Sequence, residues 1–289
     1  MKTFCKRIFW DVPLAAENAP CFPGLQCIPF DEKLEASWKD INFHFSFAPQ
    51  GMDLMEHMKF EEDAMLISAY SGHLRLAKEL GMAYLGVQIA DPLSDCPYVA
   101  LDVAALTPEY VERVYRRIHR LPWEIAETKR CILREEAPED LDALYEIYAA
   151  DSVKEWMEPL FPRAEEEAYL KDYISSMYGF YGYGMWMVIE KETGRQIGRV
   201  GFQNRQVNGE TQPELGFLIA APYQEKGYGK ECCKAALAYL KDALQIPYVN
   251  CITDPQNTRA VALAKCLGFT EQGEQMIDGK PMKYFCKIL

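Results

Sequence analysis

The chain is short of positive charge. Its 289 residues carry 31 Lys and Arg against 43 Asp and Glu, a formal net charge of -12. Broad binding to a phosphate backbone needs a basic surface, so nucleic acid is excluded as an expected partner. Histidine is scarce too. His44, His57, His73 and His119 lie far apart and suggest no metal cluster. There are 10 cysteines, but no Cys-x-x-Cys pair among them. Zinc and a disulfide framework are therefore not expected, and reduced thiols are. No long apolar run is present. The opening MKTFCKRIFWDVPLAAE has no uninterrupted apolar stretch ending in small residues, so neither a secretion signal nor a membrane span is expected. A cytoplasmic location is the corresponding expectation. No repeat or low-complexity tract occurs.

What is present is the composition of a globular protein, 49% hydrophobic and 26% charged, with length for two domains. The spacing predicts a helix from Pro108, with Thr107 as N-cap and Pro at the first position. It ends shortly before Leu121-Pro122-Trp123, where a join is expected. The division is read as 1–125, a small α/β domain, and 126–289, a second domain. In the first, Ala64-Met-Leu-Ile-Ser, the helical Leu74–Leu80 closed by Gly81, and Met82–Gln88 read as a βαβ unit with parallel strands. Tyr98–Leu101 reads as a short strand and Ile41–Phe47 as another.

In the second domain Cys131-Ile-Leu-Arg-Glu reads as the first strand. Helices follow from Ala137 and over Glu165–Met177. Trp186–Glu190 and Gln196–Phe202 read as a hairpin, and Glu214–Ile219 as a further strand. Then come a helix Ala235–Leu244, a strand Tyr248–Ile252, a helix Asn257–Leu267 and a final strand from Met282. The loop Gln224-Glu-Lys-Gly-Tyr-Gly-Lys230 lies between a strand and a helix. Unpaired amides at a helix N-terminus carry partial positive charge, and glycines let a diphosphate approach them. Taken alone, the two glycines favour a plain surface turn, since many strand-to-helix turns carry two.

Three landmarks in order extend this reading: Glu214-Leu-Gly-Phe-Leu-Ile running into Ala221-Pro-Tyr; Gln224-Glu-Lys-Gly-Tyr-Gly; and Asn257-Thr-Arg-Ala-Val-Ala-Leu-Ala-Lys-Cys-Leu-Gly-Phe269. With them, residues 128–289 resemble the GCN5-related N-acetyltransferases, and look most like the branch of the ribosomal-protein N-terminal acetyltransferases. The resemblance implies an α/β (α+β) fold: a mixed, mostly antiparallel sheet, preceded here by the small domain with parallel strands. It implies acetyl-CoA as co-substrate without a metal, and a primary amine, small molecule or peptide N-terminus, as acceptor. It leaves a homodimer open. By the same resemblance, Gln224, Glu225 and the amides of Lys226, Gly227, Tyr228, Gly229 and Lys230 would hold the pyrophosphate. The main chain of Phe217, Leu218 and Ile219 would pair with the pantetheine arm. Asn257 would bond that arm or the helix closing over it.

Direct transfer needs a neutral amine, a polarised carbonyl and a proton for the leaving thiolate. A backbone amide near Leu218 or Ile219 would stabilise the oxyanion. Glu214 is the candidate base; an exposed strand-end carboxylate is the competing reading. Many family members protonate the thiolate with a tyrosine at the position that here is Ala264. Another group must then serve, or the thiolate leaves without help, or the domain only binds CoA. For the acceptor, Glu158 would hold an ammonium, and Phe180, Tyr181 and Tyr183 would line its apolar part; these aromatics read equally well as core. Trp186 reads as core.

Residues 64–87 look like the last βαβ of a haloacid-dehalogenase-type phosphatase over about thirty residues. Where that family places a magnesium-binding acid stand Ala69 and Tyr70. Asp11 stands without its Asp-x-Asp partner. The resemblance therefore implies a remnant that serves contact or regulation, since phosphoryl transfer there needs a nucleophile and a metal site.

Overall fold

The computed structural model describes residues 5, 7–12, 44–47, 63–89, 92–93, 96–102, 106–207, 209–277 and 279–289. They form two compact units, Met1–Leu121 and Pro122–Leu289.

The first unit is built on a five-stranded sheet. Its strands are β1 (Arg7–Asp11), β2 (His44–Phe47), β3 (Ala64–Ser68), β4 (Ala83–Val87) and β5 (Val99–Ala100). Their order is β2-β1-β3-β4-β5, and every neighbouring pair is parallel. A parallel sheet is covered on both faces, which explains why all five residues of β3 and of β4 are buried. Alternation sorts them. Met65, Ile67, Leu85 and Val87 pack with Val111, Val114 and Tyr115 of helix α2 (Pro108–Ile118). Leu66 and Tyr84 pack with Leu74 and Ala77 of helix α1 (Ser71–Glu79). The expected βαβ unit is thus present. So is the Thr107 cap, whose hydroxyl accepts from the Tyr110 amide at 3.2 Å. Of the strand expected over 41–47, residues 41–43 lie outside the described residues.

The second unit carries eight strands in the order β12-β13-β11-β10-β9-β8-β7-β6. They are β6 (Glu124–Glu127), β7 (Cys131–Glu135), β8 (Met185–Glu190), β9 (Gln196–Val207), β10 (Glu210–Ile219), β11 (Tyr248–Thr253), β12 (Thr270–Ile277) and β13 (Lys280–Ile288). Every pair is antiparallel except β10 with β11, which meet in parallel through Glu214 and Asn250 alone. Beyond that bridge the two strands share no further pair, and the β11-facing edge of β10 is left open.

Helix α6 (Tyr228–Asp242) covers one face. Its Cys232, Cys233, Ala236, Leu237 and Leu240 are buried against Trp186, Val188, Ile197, Val200 and Phe202. Trp186 is fully buried, as its place in a strand predicts. On the other face lie helices α3 (Leu141–Tyr148), α4 (Asp151–Lys154) and α5 (Arg163–Tyr173). Leu141, Leu144 and Leu170 pack on Met187, and Ile147 and Val153 on Leu218 and Ala220. After α5 the helix widens into a π-type stretch, Ile174–Tyr181. Helix α7 (Thr258–Cys266) precedes β12.

Several elements differ from the sequence expectation, among them β1, the short α4, β9, which runs on to Val207, and β10, which starts at Glu210. β6 adds an edge strand before Cys131. β12 pairs with β13 along its whole length. α6 starts at Tyr228 rather than Ala235, because its first turn is tied down by residues far away in the chain, as described below.

Candidate functional site

The open edge of β10, the start of α6 and the face of α7 enclose a cavity of about 380 Å³. Phe217, Leu218 and Ile219 line it from β10, Gln224 and Glu225 from the connecting loop, and Gly227, Tyr228, Gly229 and Lys230 from the start of α6. Asn257 lines it from the cap of α7. The structure thus brings the expected donor residues together, apart from Lys226, which is not among the lining residues.

The local backbone explains the concavity. Glu225 and Gly227 both have positive φ, 61° and 83°, so the chain turns sharply twice and enters α6 with no side-chain cap. The first amides of α6 have no partner inside the helix. Glycine suits position 227, since an L side chain with positive φ costs about 1–2 kcal/mol. The loop is braced from both sides. Gln224 Nε2 donates to the Ile219 carbonyl at 2.9 Å, and Arg259 Nη1 to Gln224 Oε1 at 3.1 Å. Arg259 Nη2 also lies 3.1 Å from Glu225 Oε1. Tyr228 Oη donates to Glu190 Oε1 at 2.5 Å, a bond that pushes its phenol up to about 12.

Asn257 accepts from the Ala260 amide at 3.0 Å through Oδ1, so this side chain caps α7 while facing the cavity. Ala264, about two turns further along α7, is fully buried in the core with Leu267 and Phe269. Sequence reasoning did not single out Ala260, Leu263 and Arg259 as lining residues; their spacing from Asn257 on α7 was the available signal. Ser152, Val153 and Tyr223 were also missed, and Trp156 and Met157, close in sequence to Glu158, line the cavity as well.

The other candidates lie elsewhere. Glu214 is not a strand-start residue: β10 begins at Glu210, and Glu214 is its mid-strand bridge to β11. Nor is it an exposed carboxylate. It is 5% exposed and accepts from Arg205 Nε at 2.7 Å, because β9 continues to Val207 and carries that arginine alongside. Glu158 is exposed. Phe180 and Tyr181 are exposed and stacked edge to face, with centroids 4.9 Å apart. Tyr183 is buried, and its hydroxyl donates to Asn204 Oδ1 at 2.6 Å. None of these is among the lining residues of the cavity. A second buried carboxylate lies on the α3 and α5 face: Glu136, held by Arg199 Nε at 2.5 Å and Nη2 at 3.0 Å. Burial pushes its carboxyl up, against the pull of Arg199. No group of three or more His, Cys, Asp or Glu able to hold a metal ion occurs among the described residues. No helix among them is long and apolar enough to cross a membrane.

Residues 130–270 match the family model described as the acetyltransferase (GNAT) domain. The second unit is a GNAT acetyltransferase domain. The chain also resembles two bacterial proteins. YkkB of Bacillus subtilis (strain 168) is 28% identical over 88 residues, 30% of this chain and 51% of that protein. The chain thus spans about half of YkkB. The uncharacterized N-acetyltransferase p20 of Bacillus licheniformis is 25% identical over 150 residues, 50% of this chain and 82% of p20. The solved structure of RimL, a ribosomal L7/L12 alpha-N-protein acetyltransferase, aligns at a TM-score of 0.50 and 13% identity. It covers 58% of this chain and 95% of RimL, and at that identity the likeness is one of fold alone. The GNAT match takes in β10, the loop, α6 and α7, the elements that enclose the cavity.

Proposed function

We propose that the GNAT domain transfers an acetyl group from acetyl-CoA to a primary amine, on a small molecule or a peptide N-terminus, by direct attack. One observation carries the reading: the open edge of β10 is followed, after one short loop, by a glycine-bearing helix N-terminus, and the same cavity is lined by both. An extended pantetheine arm would add itself as a strand against Phe217–Ile219. The diphosphate would sit on the free amides of Gly227–Lys230, where the helix dipole and the Lys230 charge favour it. No metal is needed for either contact.

In this reading the amine nitrogen attacks the thioester carbonyl carbon and the C–S bond breaks, giving an amide and the CoA thiolate. A β10 backbone amide near Leu218 or Ile219 takes the oxyanion charge. Glu214 stands at the last bridge before the strands part, oriented by Arg205, and is our candidate for drawing off the amine proton. The sequence offers no hydroxyl at Ala264, and the core closes over that position. The thiolate is therefore protonated by another group or leaves unaided. Glu158 and Tyr181 remain proposals for the acceptor side, and Tyr183 is kept for packing beneath Tyr181, with ring centroids 5.8 Å apart.

The burial of Ala264 also favours a second reading, a CoA-binding sensor without turnover. One experiment separates them: thiol release from acetyl-CoA in the presence of a panel of primary amines and peptides. Release with acetyl-amide product supports the transferase, and Glu214→Gln should then lower kcat. CoA binding without release on any acceptor supports the sensor. A melting temperature that neither CoA nor acetyl-CoA raises would remove both, since a ligand of the folded state must stabilise it.

A further inference from the structure

We infer that Arg130 is a positioning residue for the donor: it aims the amides at the start of α6 and cancels the one carboxylate in that turn. The inference rests on the reading of this helix start as the diphosphate site. Arg130 lies in the turn between β6 and β7 and does not line the cavity. Its side chain nevertheless meets three parts of the α6 start. Nη1 donates to the Lys226 carbonyl at 3.0 Å. Nε donates to Glu231 Oε2 at 2.8 Å. The guanidinium lies 4.0 Å from the centroid of the Tyr228 ring. The Arg130 amide and the Thr128 hydroxyl complete the grip on Glu231 Oε1, at 2.8 Å and 2.7 Å.

The Lys226 contact has a directional consequence. In a trans peptide the C=O and the next N–H point in opposite directions. Holding the Lys226 carbonyl on Arg130 therefore turns the Gly227 N–H away from Arg130, and Gly227 is a lining residue of the cavity while Lys226 is not. Glycine has no side chain to hold this peptide and a wide choice of backbone conformations, so its orientation has to be imposed from outside. Arg130 imposes it.

The Glu231 contact has an electrostatic consequence. Glu231 is the acidic residue of the first turn of α6. Such an acid favours the helix but repels a diphosphate bound at the same end. Burial works against its charge, yet the bonds from Thr128 and Arg130 outweigh that and hold its carboxyl below the usual range. It is thus an anion under working conditions, and Arg130 is the cation that offsets it.

The test is calorimetric binding of CoA to the full chain in wild type, Arg130→Ala, Arg130→Lys, Glu231→Gln and the double variant Arg130→Ala/Glu231→Gln. Arg130→Ala should weaken CoA by about tenfold or more, the scale of one hydrogen bond to a charged group. Arg130→Lys should recover part of that loss, since it restores the charge without the fork. The double variant should bind better than Arg130→Ala, because the stranded carboxylate is gone. In steady-state assays the KM for acetyl-CoA should rise while the KM for the amine stays within about twofold, as expected when one binding contact is lost. Wild-type affinity in Arg130→Ala overturns the inference. So does a loss that the KM of the amine and the melting temperature share in proportion, which would mark a scaffold residue. A wild type that does not bind CoA removes the donor-site reading itself, and this inference with it.

Discussion

The two units solve one local problem differently. Each contains a strand that sits beside a parallel neighbour and runs through a turn into a helix: β3 into α1 in the first, β10 into α6 in the second. In the first unit the strand ends are closed by side chains. Asp11, at the end of β1, is paired in register with Ser68 at the end of β3. The Ser68 hydroxyl donates to Asp11 Oδ2 at 2.6 Å, and His73 Nδ1 of α1 lies 2.6 Å from the same oxygen. A carboxylate therefore occupies the crevice between β1 and β3, where the strand order reverses and open α/β sheets hold ligands. In the second unit the parallel pair makes one bridge and parts. Its helix begins on glycine and is flanked by Lys230 and Arg259. On the proposed reading, the second unit can seat a donor because it combines an unfilled strand edge with a positive helix start, whereas side chains fill the corresponding place in the first unit.

The contrast breaks most readily at Gly227. Gly227→Glu forces an L side chain onto a φ of 83° and sets a carboxylate against the diphosphate. CoA affinity should fall by at least ~100-fold, since strain of ~1–2 kcal/mol and charge repulsion add. Gly229→Glu should act the same way through charge and bulk. Calorimetry with wild-type affinity for both would remove the loop from the site.

Gly198 tests the strand edge. A Cβ there would come 2.2 Å from the Leu218 carbonyl oxygen on β10. Gly198→Ala should cost ~1–3 kcal/mol, as overpacking does, and weaken CoA as β10 shifts. A denaturation midpoint equal to wild type would show that this close approach does not set the edge.

Asp11→Ala probes the first unit. It leaves the fully buried Ser68 hydroxyl without its acceptor, at a cost of ~1–3 kcal/mol. The loss should appear in the melting of the first unit, with CoA affinity unchanged. A change in CoA affinity would show that the two units are coupled. The smallest effect is expected from pH. The Glu231 carboxyl is lowered in the folded state. Its contribution is present above the ordinary carboxylate value of 4.5 and lost as pH falls through the lower folded value. Arg130→Ala should flatten the acid limb of the melting curve; an unchanged limb would show that Arg130 is not what holds the Glu231 charge.

Much of the second unit was legible because its chemistry is local. Glu214–Ile219, the double-glycine loop and the Asn257-led helix each carry their pattern within a dozen residues, and they fall where the pattern puts them. The unread parts were those whose identity is supplied by a distant partner. β12 is almost wholly exposed and polar, so it has no apolar alternation to read; its register with β13 makes it a strand. β6 is a short edge strand defined by β7. α6 was read as starting at Ala235 because Gly-Tyr-Gly resembles a loop, whereas Arg130 and Glu231, 101 residues apart, fasten its first turn. For Glu214 the sequence left a candidate base and an exposed strand-end carboxylate side by side, because Arg205, its partner across the hairpin, has no mark in the sequence that sets it apart from a surface arginine.

The sequence by itself determined the order of the strands and helices from β7 to α7 that carry an apolar pattern, the glycine-bearing helix start and the lack of a hydroxyl at position 264, because these depend on residues adjacent in the chain. Only the tertiary structure decided which edge of β10 stays open, that Glu214 is buried against Arg205, and that an arginine outside the cavity bonds the Lys226 carbonyl and Glu231 at the start of α6. Those depend on where β10 parts from β11 and on which turn lies over α6, and such long-range pairings are fixed by packing across the whole sheet.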